Sequence, residues 1–206
     1  MSKVTVEPNT KRVIIEDLSD ETIKLLLGNA NLKKLGDIQP GDIANVGKNL
    51  EFIVLKQTGE ETHLLLKDFW KTAMFDDDSN DYRESDIRKS LNTEFYEMLS
   101  NAVGKENIVS HTVDLTADDG RVDYQSCTDN ISLLTCDMYR QNVYLIDRYR
   151  INKWWMLATP YSTKSNGYEK SVRCVYLNGT LDNFNCDNCF GVRPFCILKS
   201  NIFVSE

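Results

Sequence analysis

Short apolar runs, bounded by turn residues, occur along the first half of the chain and predict strands. Glu51–Gln57 and Thr62–Lys67 both have this pattern. They flank the turn-forming segment Thr58–Glu61, which predicts a β-hairpin. Arg12–Glu16 and Ile108–Leu115 predict further strands. We therefore expect mainly antiparallel pairing.

Apolar residues recur at spacings of three and four in Ser85–Leu99, which predicts an amphipathic helix. Ser85 is suited to cap its first turn. A shorter helix is predicted over Ser19–Gly28, where acidic residues follow Ser19 and Gly28 provides a stop. Asp137–Tyr149 is interpreted as a short helix or a loop.

The last quarter of the chain predicts a second group of strands. Trp154–Leu157 and Phe195–Leu198 have the apolar composition of buried strands. Ser171–Val175 and Leu181–Phe184 flank the turn Leu177–Thr180, whose Asn-Gly pair is a strong hairpin signal because both residues tolerate positive φ.

The segment after this hairpin, Asp182–Phe190, is too polar for a core and has poor strand propensity. We expect it to be exposed. The sequence Gly191–Pro194 follows it and predicts a rigid corner, because glycine permits a close approach and proline fixes φ. Ile131–Cys136 predicts one more strand, and Thr116–Thr128 predicts a polar connector.

Three motifs in the last quarter match a pattern known from a protein family. They are Trp154-Trp155 with Leu157–Pro160, the spacing Val175-x-x-x-Gly179-x-Leu181, and Gly191–Pro194. They resemble the WWLRSP-like, V-x-x-x-G-x-V and GVRPAL motifs of a phage and bacterial domain, DUF6273-like. The chain departs from that pattern at Met156–Thr159, where the family's arginine is missing, and at Phe195-Cys196. The role of that arginine is therefore not carried over.

The resemblance implies a function and a fold. Versions of this domain are variable proteins of diversity-generating retroelements, in which a reverse transcriptase introduces errors at adenines and changes side chains displayed on a fixed backbone. Their C-type-lectin-like fold implies an α+β domain with mainly antiparallel strands and one or two helices. We expect this domain over 36–206, with a small N-terminal appendage at 1–35 and a variable region at about 161–188.

The residue mixture of the variable region is typical of a binding surface, where Tyr, Phe and Arg anchor a partner and Ser and Asn adapt their hydrogen bonds. The predicted ligand-binding residues are Tyr161, Ser162, Ser165, Asn166, Tyr168, Arg173, Tyr176, Asn178, Asp182, Asn183, Phe184, Asn185, Asp187 and Asn188. Apolar residues between them are expected to fix the backbone. An ordinary polar loop region is the alternative interpretation.

Composition excludes several other classes. The 206 residues are 41% hydrophobic and 27% charged, as expected of a globular protein. The formal charge is −7 and no basic run occurs, which argues against nucleic-acid binding. No apolar run reaches the roughly 20 residues of a membrane span, and the N-terminus lacks the apolar core of a secretory signal. We expect synthesis in a bacterial cytoplasm, followed by association with a virion or formation of a homo-oligomer.

The six cysteines are expected to be free thiols. Cys186-x-x-Cys189 has the spacing of a zinc-binding pair, but a second pair of ligands is missing, so no metal is predicted. Met74–Asp81 lacks the glycine and the closing glutamate of an EF-hand loop, which favours a solvated loop. Asp118-Asp119 is also interpreted as a solvated acidic pair.

Several side chains that can carry chemistry are predicted to be structural. His63 and His111 are distant from any nucleophile motif, and Tyr139, Tyr144 and Tyr149 are expected to pack. No enzyme or cofactor is predicted, although the lectin-like fold also includes formylglycine-generating enzymes, which depend on paired cysteines.

Three functional classes remain open. The first is a variable protein of a phage or prophage that binds a protein or glycan target, for instance at a bacterial surface. The second is a non-variable binding or structural module of the same fold, including an inhibitor of a host factor. The third is an enzyme.

Overall fold

The computed structural model describes residues 3–7, 12–16, 32–47 and 49–205. Within these ranges the strands are β1 (Lys3–Glu7), β2 (Arg12–Glu16), β3 (Leu32–Lys34), β4 (Ile43–Val46), β5 (Leu50–Gln57), β6 (Glu61–Leu66), β7 (Lys71–Ala73), β8 (Ile108–Val109), β9 (His111–Asp114), β10 (Ser126–Asp129), β11 (Ile131–Ser132), β12 (Trp155–Pro160), β13 (Ser171–Val175), β14 (Leu181–Asn185), β15 (Phe190–Val192), β16 (Phe195–Lys199) and β17 (Phe203–Ser205). The α-helices are α1 (Asp86–Ser90), α2 (Tyr96–Val103) and α3 (Cys136–Asp147). None of these helices is long and apolar enough to cross a membrane.

The larger sheet has eight antiparallel strands in the order β11-β16-β6-β5-β4-β17-β3, and β8 also pairs with β16. Its centre contains the predicted β5–β6 hairpin, which is confirmed. The strand β3 lies at one edge, where Phe203 of β17 pairs with Lys34. Residues 32–34 and the last described strand of the chain therefore meet in one sheet.

The smaller sheet has five strands in the order β14-β13-β12-β15-β7. Its pairs are antiparallel except for β12 and β15, which run parallel. The predicted hairpin of β13 and β14 forms one edge of this sheet. Separate two-stranded ladders join β1 to β2 and β9 to β10. The structure is thus α+β with mainly antiparallel sheets, as the sequence predicts.

The central strands β5 and β12 are buried on both faces, which explains their continuous apolar runs. Phe52 and Val54 of β5 pack in one core cluster with α1 and α2, whereas Ile53 packs in a second cluster with α3. In β12, Met156 lies in the first of these clusters and Trp155 lies in the second. Period-2 alternation of side chains therefore sends neighbouring residues into different cores.

The predicted helix over Ser85–Leu99 is confirmed, with an interruption. The Ser85 hydroxyl accepts a hydrogen bond from the Arg88 backbone N–H at 3.2 Å and caps α1. A π-helical turn over Leu91–Phe95 connects α1 to α2. The helix ends where Gly104 takes a φ of 87°.

The corner at Gly191–Pro194 joins the two sheets. A Cβ atom on Gly191 would lie 2.2 Å from two ring carbons of Phe69, so the ring occupies the space of a side chain. Arg193 is buried, and its guanidinium donates to the backbone oxygens of Leu66 and Lys67 at 3.0 and 2.8 Å. Its guanidinium carbon lies 4.9 Å from the centre of a Trp155 ring. The predicted rigid corner is therefore a dense contact between β15, β12 and the end of β6.

Other element predictions need correction. Ile108–Leu115 is two strands, because β8 pairs with β16 whereas β9 pairs with β10. Only Ile131–Ser132 of the predicted strand Ile131–Cys136 pairs as a strand, and Cys136 begins α3. Ser126–Thr128, predicted as the end of a connector, belongs to the strand β10. Sequence pattern did not show these changes because they depend on distant pairing partners. The helix predicted over Ser19–Gly28 lies outside the described residues.

Candidate functional site

The predicted site is built on the hairpin of β13 and β14. Val172 pairs with Phe184, Arg173 with Asn183, and Cys174 with Asp182. Val172, Cys174 and Val175 are buried, whereas Asp182 and Asn185 are exposed. The edge strand β14 thus displays polar side chains, and it pairs with β13, which is anchored in the core by its buried side chains. Asp182–Asn185 is a regular strand, which corrects the expectation from propensity, because pairing with β13 outweighs it.

The turn of this hairpin is fixed by contacts with α3. Gly179 has a φ of 86°, but Asn178 does not have positive φ, so only one of the two turn residues has the predicted conformation. The Tyr176 N–H donates to the Thr180 carbonyl at 2.8 Å and closes the turn. The Tyr139 hydroxyl, on α3, donates to the Gly179 carbonyl at 2.7 Å. Desolvation raises the pKa of Tyr139 to about 12, so this donor is protonated at neutral pH.

Four aromatic rings form a half-buried cluster beside the hairpin. The ring of Trp154 lies 4.0 Å from that of Tyr176 and 4.2 Å from that of Phe184, measured between centroids. Phe190 lies 4.6 Å from Phe184. Tyr176 and Phe184, both predicted to contact a ligand, therefore also contribute to packing.

The loop between β12 and β13 is held by one buried amide. The Asn80 Nδ2 atom donates to the backbone oxygens of Ser162, Tyr168 and Ser171 at 2.7 to 2.8 Å. Its Oδ1 atom accepts from the Tyr124 hydroxyl at 2.8 Å. This one side chain satisfies carbonyls at both ends of the loop. The exposed Ser165 and Asn166 side chains add hydrogen bonds to Asp123 at 2.6 Å and to Ser162 at 3.2 Å.

Arg173 is engaged within the chain. Its Nε atom lies 3.2 Å from Asp118 Oδ2, and its guanidinium carbon lies 5.7 Å from the ring centre of Tyr161. Asp118 also accepts from Arg140 of α3 at 2.6 Å. Asp119 accepts from the Ser162 hydroxyl at 2.7 Å. The interpretation of Asp118-Asp119 as a solvated pair therefore needs correction at Asp118, which is half-buried between two arginines, whereas Asp119 is exposed as expected.

The predicted ligand-binding residues differ in exposure. The exposed residues are Ser165, Asn166, Tyr168, Asn178, Asp182, Asn185, Asp187 and Asn188. The half-buried residues are Tyr161, Arg173, Tyr176, Asn183 and Phe184. Ser162 is buried. The exposed residues of this segment, which we call the hairpin face, lie on the β12–β13 loop, the β13–β14 turn, β14 and the turn before β15.

The cysteines do not form a metal site in the described structure. All six are unpaired, with Cys186 buried and Cys189 exposed. No group of three or more His, Cys, Asp or Glu residues with metal-binding geometry occurs among the described residues. Burial raises the pKa of Cys186, and it raises that of Cys174 to about 12. These thiols are therefore protonated at neutral pH and are weak nucleophiles.

Two residues that organise this region were missed by sequence reasoning. Asn80 and Asp118 lie in polar stretches that give no local signal of burial. Their partners are 40 or more residues away in most of these contacts, including Asn80 to Ser162 and Asp118 to Arg173. Only the folded chain brings these residues together.

A family model with the description "Domain of unknown function (DUF6273)" matches residues 60–200. The chain belongs to the DUF6273 family. No curated protein and no solved structure matches it. The DUF6273 match begins in the β5–β6 turn and ends just after β16, so it includes the Gly191–Pro194 corner, the hairpin face and the helices α1, α2 and α3.

Proposed function

We propose that this DUF6273 protein is a non-catalytic binding module with a C-type-lectin-like fold, and that its hairpin face binds a protein or glycan target. We further propose that it is the variable protein of a diversity-generating retroelement in a phage or prophage, with a target on a host surface. The observation that carries this proposal is the separation of roles within residues 161–188. Exposed polar side chains alternate there with buried residues and backbone anchors.

The anchors make the hairpin face tolerant of change. Asn80 holds the loop carbonyls, Tyr139 holds the turn at Gly179, and Val172 and Cys174 are buried in the sheet. None of these contacts uses a side chain of the hairpin face. Exposed substitutions away from such contacts usually change stability by no more than about 0.5 kcal/mol. Such a surface can vary without loss of the fold.

A second candidate is a binding or structural module whose surface does not vary. The contacts of Arg173 with Asp118 and of Phe184 with Trp154 favour it, because variation at either position would disturb packing. The two candidates share a surface and differ in which positions change. An inhibitor of a host factor belongs to this second class.

Sequencing of the coding region in a natural population separates the two candidates. If the protein is variable, substitutions should concentrate at adenines in codons of the hairpin face, and a repeat of this region should lie near a reverse transcriptase gene. The codons of α1 and α2 provide the control, because they lie outside the proposed variable region. Equal substitution rates in both sets would exclude diversification and leave the non-variable module.

A further inference from the structure

A polar cavity of about 440 Å³ lies at the N-terminal end of α3. Residues from three parts of the chain line it, namely Thr112–Gly120, Thr135–Gln141 and Thr159. No residue of 161–188 contributes to its lining. The cavity is therefore separate from the hairpin face, and its volume is in the range of small-ligand sites.

The charged groups of the cavity are already held in place. Arg140 donates from Nη2 to Asp118 at 2.6 Å and from Nη1 to Asp137 at 2.8 Å. Asp118 also lies 3.2 Å from Arg173 Nε. Because two carboxylates compensate Arg140, its guanidinium is oriented but does not supply a free positive charge.

The charge balance favours a neutral ligand. Three carboxylates, of Asp114, Asp118 and Asp137, line the cavity with one guanidinium, which opposes an anion. The N-terminal end of the 12-residue helix α3 and the nearby guanidinium of Arg173 oppose a cation. A polar molecule without net charge avoids both penalties.

Hydrogen-bond donors and acceptors alternate around the cavity. The hydroxyl oxygens of Thr135 and Thr159 each accept a backbone N–H bond at the start of α3. The Thr159 hydroxyl also bonds the Cys136 thiol, so the Thr135 hydrogen is the one left to donate. Asp114 accepts bonds from Thr116 through Oδ1 alone. Within the described part of the chain, Oδ2 of Asp114 and Oδ2 of Asp137 accept no hydrogen bond. A ligand rich in hydroxyl groups can therefore both donate and accept here.

An exposed aromatic ring lies on the same face of α3. Tyr144 is 87% exposed, whereas the sequence predicted that it would pack. It follows Asp137, Arg140 and Gln141 at helical spacing on the exposed face of the helix. Tyr144 is not part of the cavity lining; it lies three residues beyond Gln141, the last lining residue of α3, where its ring can meet a ligand that extends out of the cavity. Tyrosine presents an apolar ring face and a polar tip, which suits the C–H face of a sugar.

We propose that this cavity binds a neutral pyranose unit, with Asp114, Asp137 and the Thr135 hydroxyl bonding its hydroxyl groups and Tyr144 packing on its ring. Arg140 is a positioning residue that orients Asp118 and Asp137. This site does not depend on variation of the hairpin face. A fixed sugar site beside a variable surface would keep the protein on a glycan-bearing target while the hairpin face changes.

Saturation-transfer NMR on the full chain tests the proposal, with methyl glycosides of glucose, galactose and mannose and with N-acetylglucosamine as probes. At least one probe should receive saturation from the protein. Tyr144→Ala should weaken its binding about fivefold or more, as expected from loss of ring packing, and Asp137→Asn should also weaken it. Both side chains are exposed, so melting temperatures should match that of the parent chain. Met98→Ala, which changes an exposed apolar side chain of α2 outside both the cavity and the hairpin face, is the control and should leave binding unchanged.

Three outcomes would overturn this site. They are no saturation transfer to any probe, equal binding in the parent chain and in both variants, and displacement of the bound sugar by lower concentrations of sulfate or spermidine than of a competing sugar. Tyr168→Ala, which changes an exposed residue of the hairpin face, distinguishes sugar binding at the hairpin face from sugar binding in this cavity. If it abolishes sugar binding while Tyr144→Ala has no effect, the sugar site lies on the hairpin face instead of in this cavity.

Discussion

Trp154 and Trp155 are neighbours in sequence and belong to different regions of the molecule. Trp155 is 2% exposed and packs against Tyr139 of α3 and the guanidinium of Arg193. Trp154 is half-buried and supports Tyr176 and Phe184 at the hairpin. One indole belongs to the core that joins the two sheets. Trp154 packs beneath part of the proposed binding region.

The comparison shows that the core corner and the hairpin face are stabilised in different ways. At the corner no larger side chain fits, because the Phe69 ring packs directly against Gly191. The hairpin face is held from behind by Asn80 and Tyr139, which bond to backbone oxygens. Backbone oxygens are common to all residue types, so anchors of this kind do not restrict the side chains in front.

The largest effect is expected from Gly191→Val. Its branched side chain would overlap the Phe69 ring, so we expect loss of more than about 4 kcal/mol of unfolding free energy, or no folded protein. Urea denaturation followed by circular dichroism measures the change. The double variant with Phe69→Ala should recover part of the loss because the ring is removed.

Gly120→Val is the control for this prediction. No atom lies within 4 Å of the Cβ position at Gly120, so only its positive φ is unfavourable and the cost should stay near 1–2 kcal/mol. Similar losses for Gly120→Val and Gly191→Val would show that the Phe69 contact is not the cause.

Asn80→Ala should have the next largest effect. It removes the donor for three carbonyls and leaves them and the Tyr124 hydroxyl without this partner. Unpaired buried polar groups cost about 1–3 kcal/mol each, partly offset by water, so we expect a total loss of about 2–4 kcal/mol. The β12–β13 loop should then show faster amide hydrogen exchange.

Asn188→Ala is the matched control for Asn80→Ala, since its exposed amide makes no hydrogen bond in the described part of the chain. If Asn80→Ala changed stability no more than this control, the loop would be held by other contacts.

Phe184→Ala should reduce the free energy of unfolding by a smaller amount. The ring is half-buried against Trp154 and Phe190, so we expect about 1–2 kcal/mol, below the cost of a fully buried phenylalanine. Tryptophan fluorescence should also change, because the environment of Trp154 changes. A loss equal to that of Tyr168→Ala would mean that the Phe184 ring does not contribute to packing. A loss of stability here would also need to be separated from any loss of target affinity.

Sequence pattern predicted the elements that local periodicity determines. The β5–β6 hairpin, the helix capped by Ser85 and the β13–β14 hairpin all follow from spacings within about 20 residues. The close approach at Gly191 was also predictable in kind, because glycine before an Arg-Pro pair suggests a constrained corner. Its partner Phe69 was not, because the two residues are far apart in the chain.

The candidate site was predicted less completely than the fold. Composition suggested an exposed surface over 161–188, but it does not distinguish Ser162, which is buried, from Ser165, which is exposed. Tyr144 and Asp118 were assigned the wrong environments for the same reason. Whether a polar side chain bonds to protein or to water depends on tertiary contacts, which a single sequence does not specify.

The smallest effect is expected for changes on the hairpin face itself. The side chains of Asn185, Asp187 and Asn188 are exposed and make no hydrogen bond within the described chain. Replacing all three by serine should therefore change the unfolding free energy by less than about 1 kcal/mol in total. The buried pair Val172→Ser and Cys174→Ser, on the paired strand, should cost several times more because each introduces a hydroxyl into the core. Urea denaturation of both variants measures the two losses of unfolding free energy, and their ratio is the test. A ratio near one would mean that the hairpin face is as constrained as the strand behind it, and such a surface could not vary on a fixed backbone.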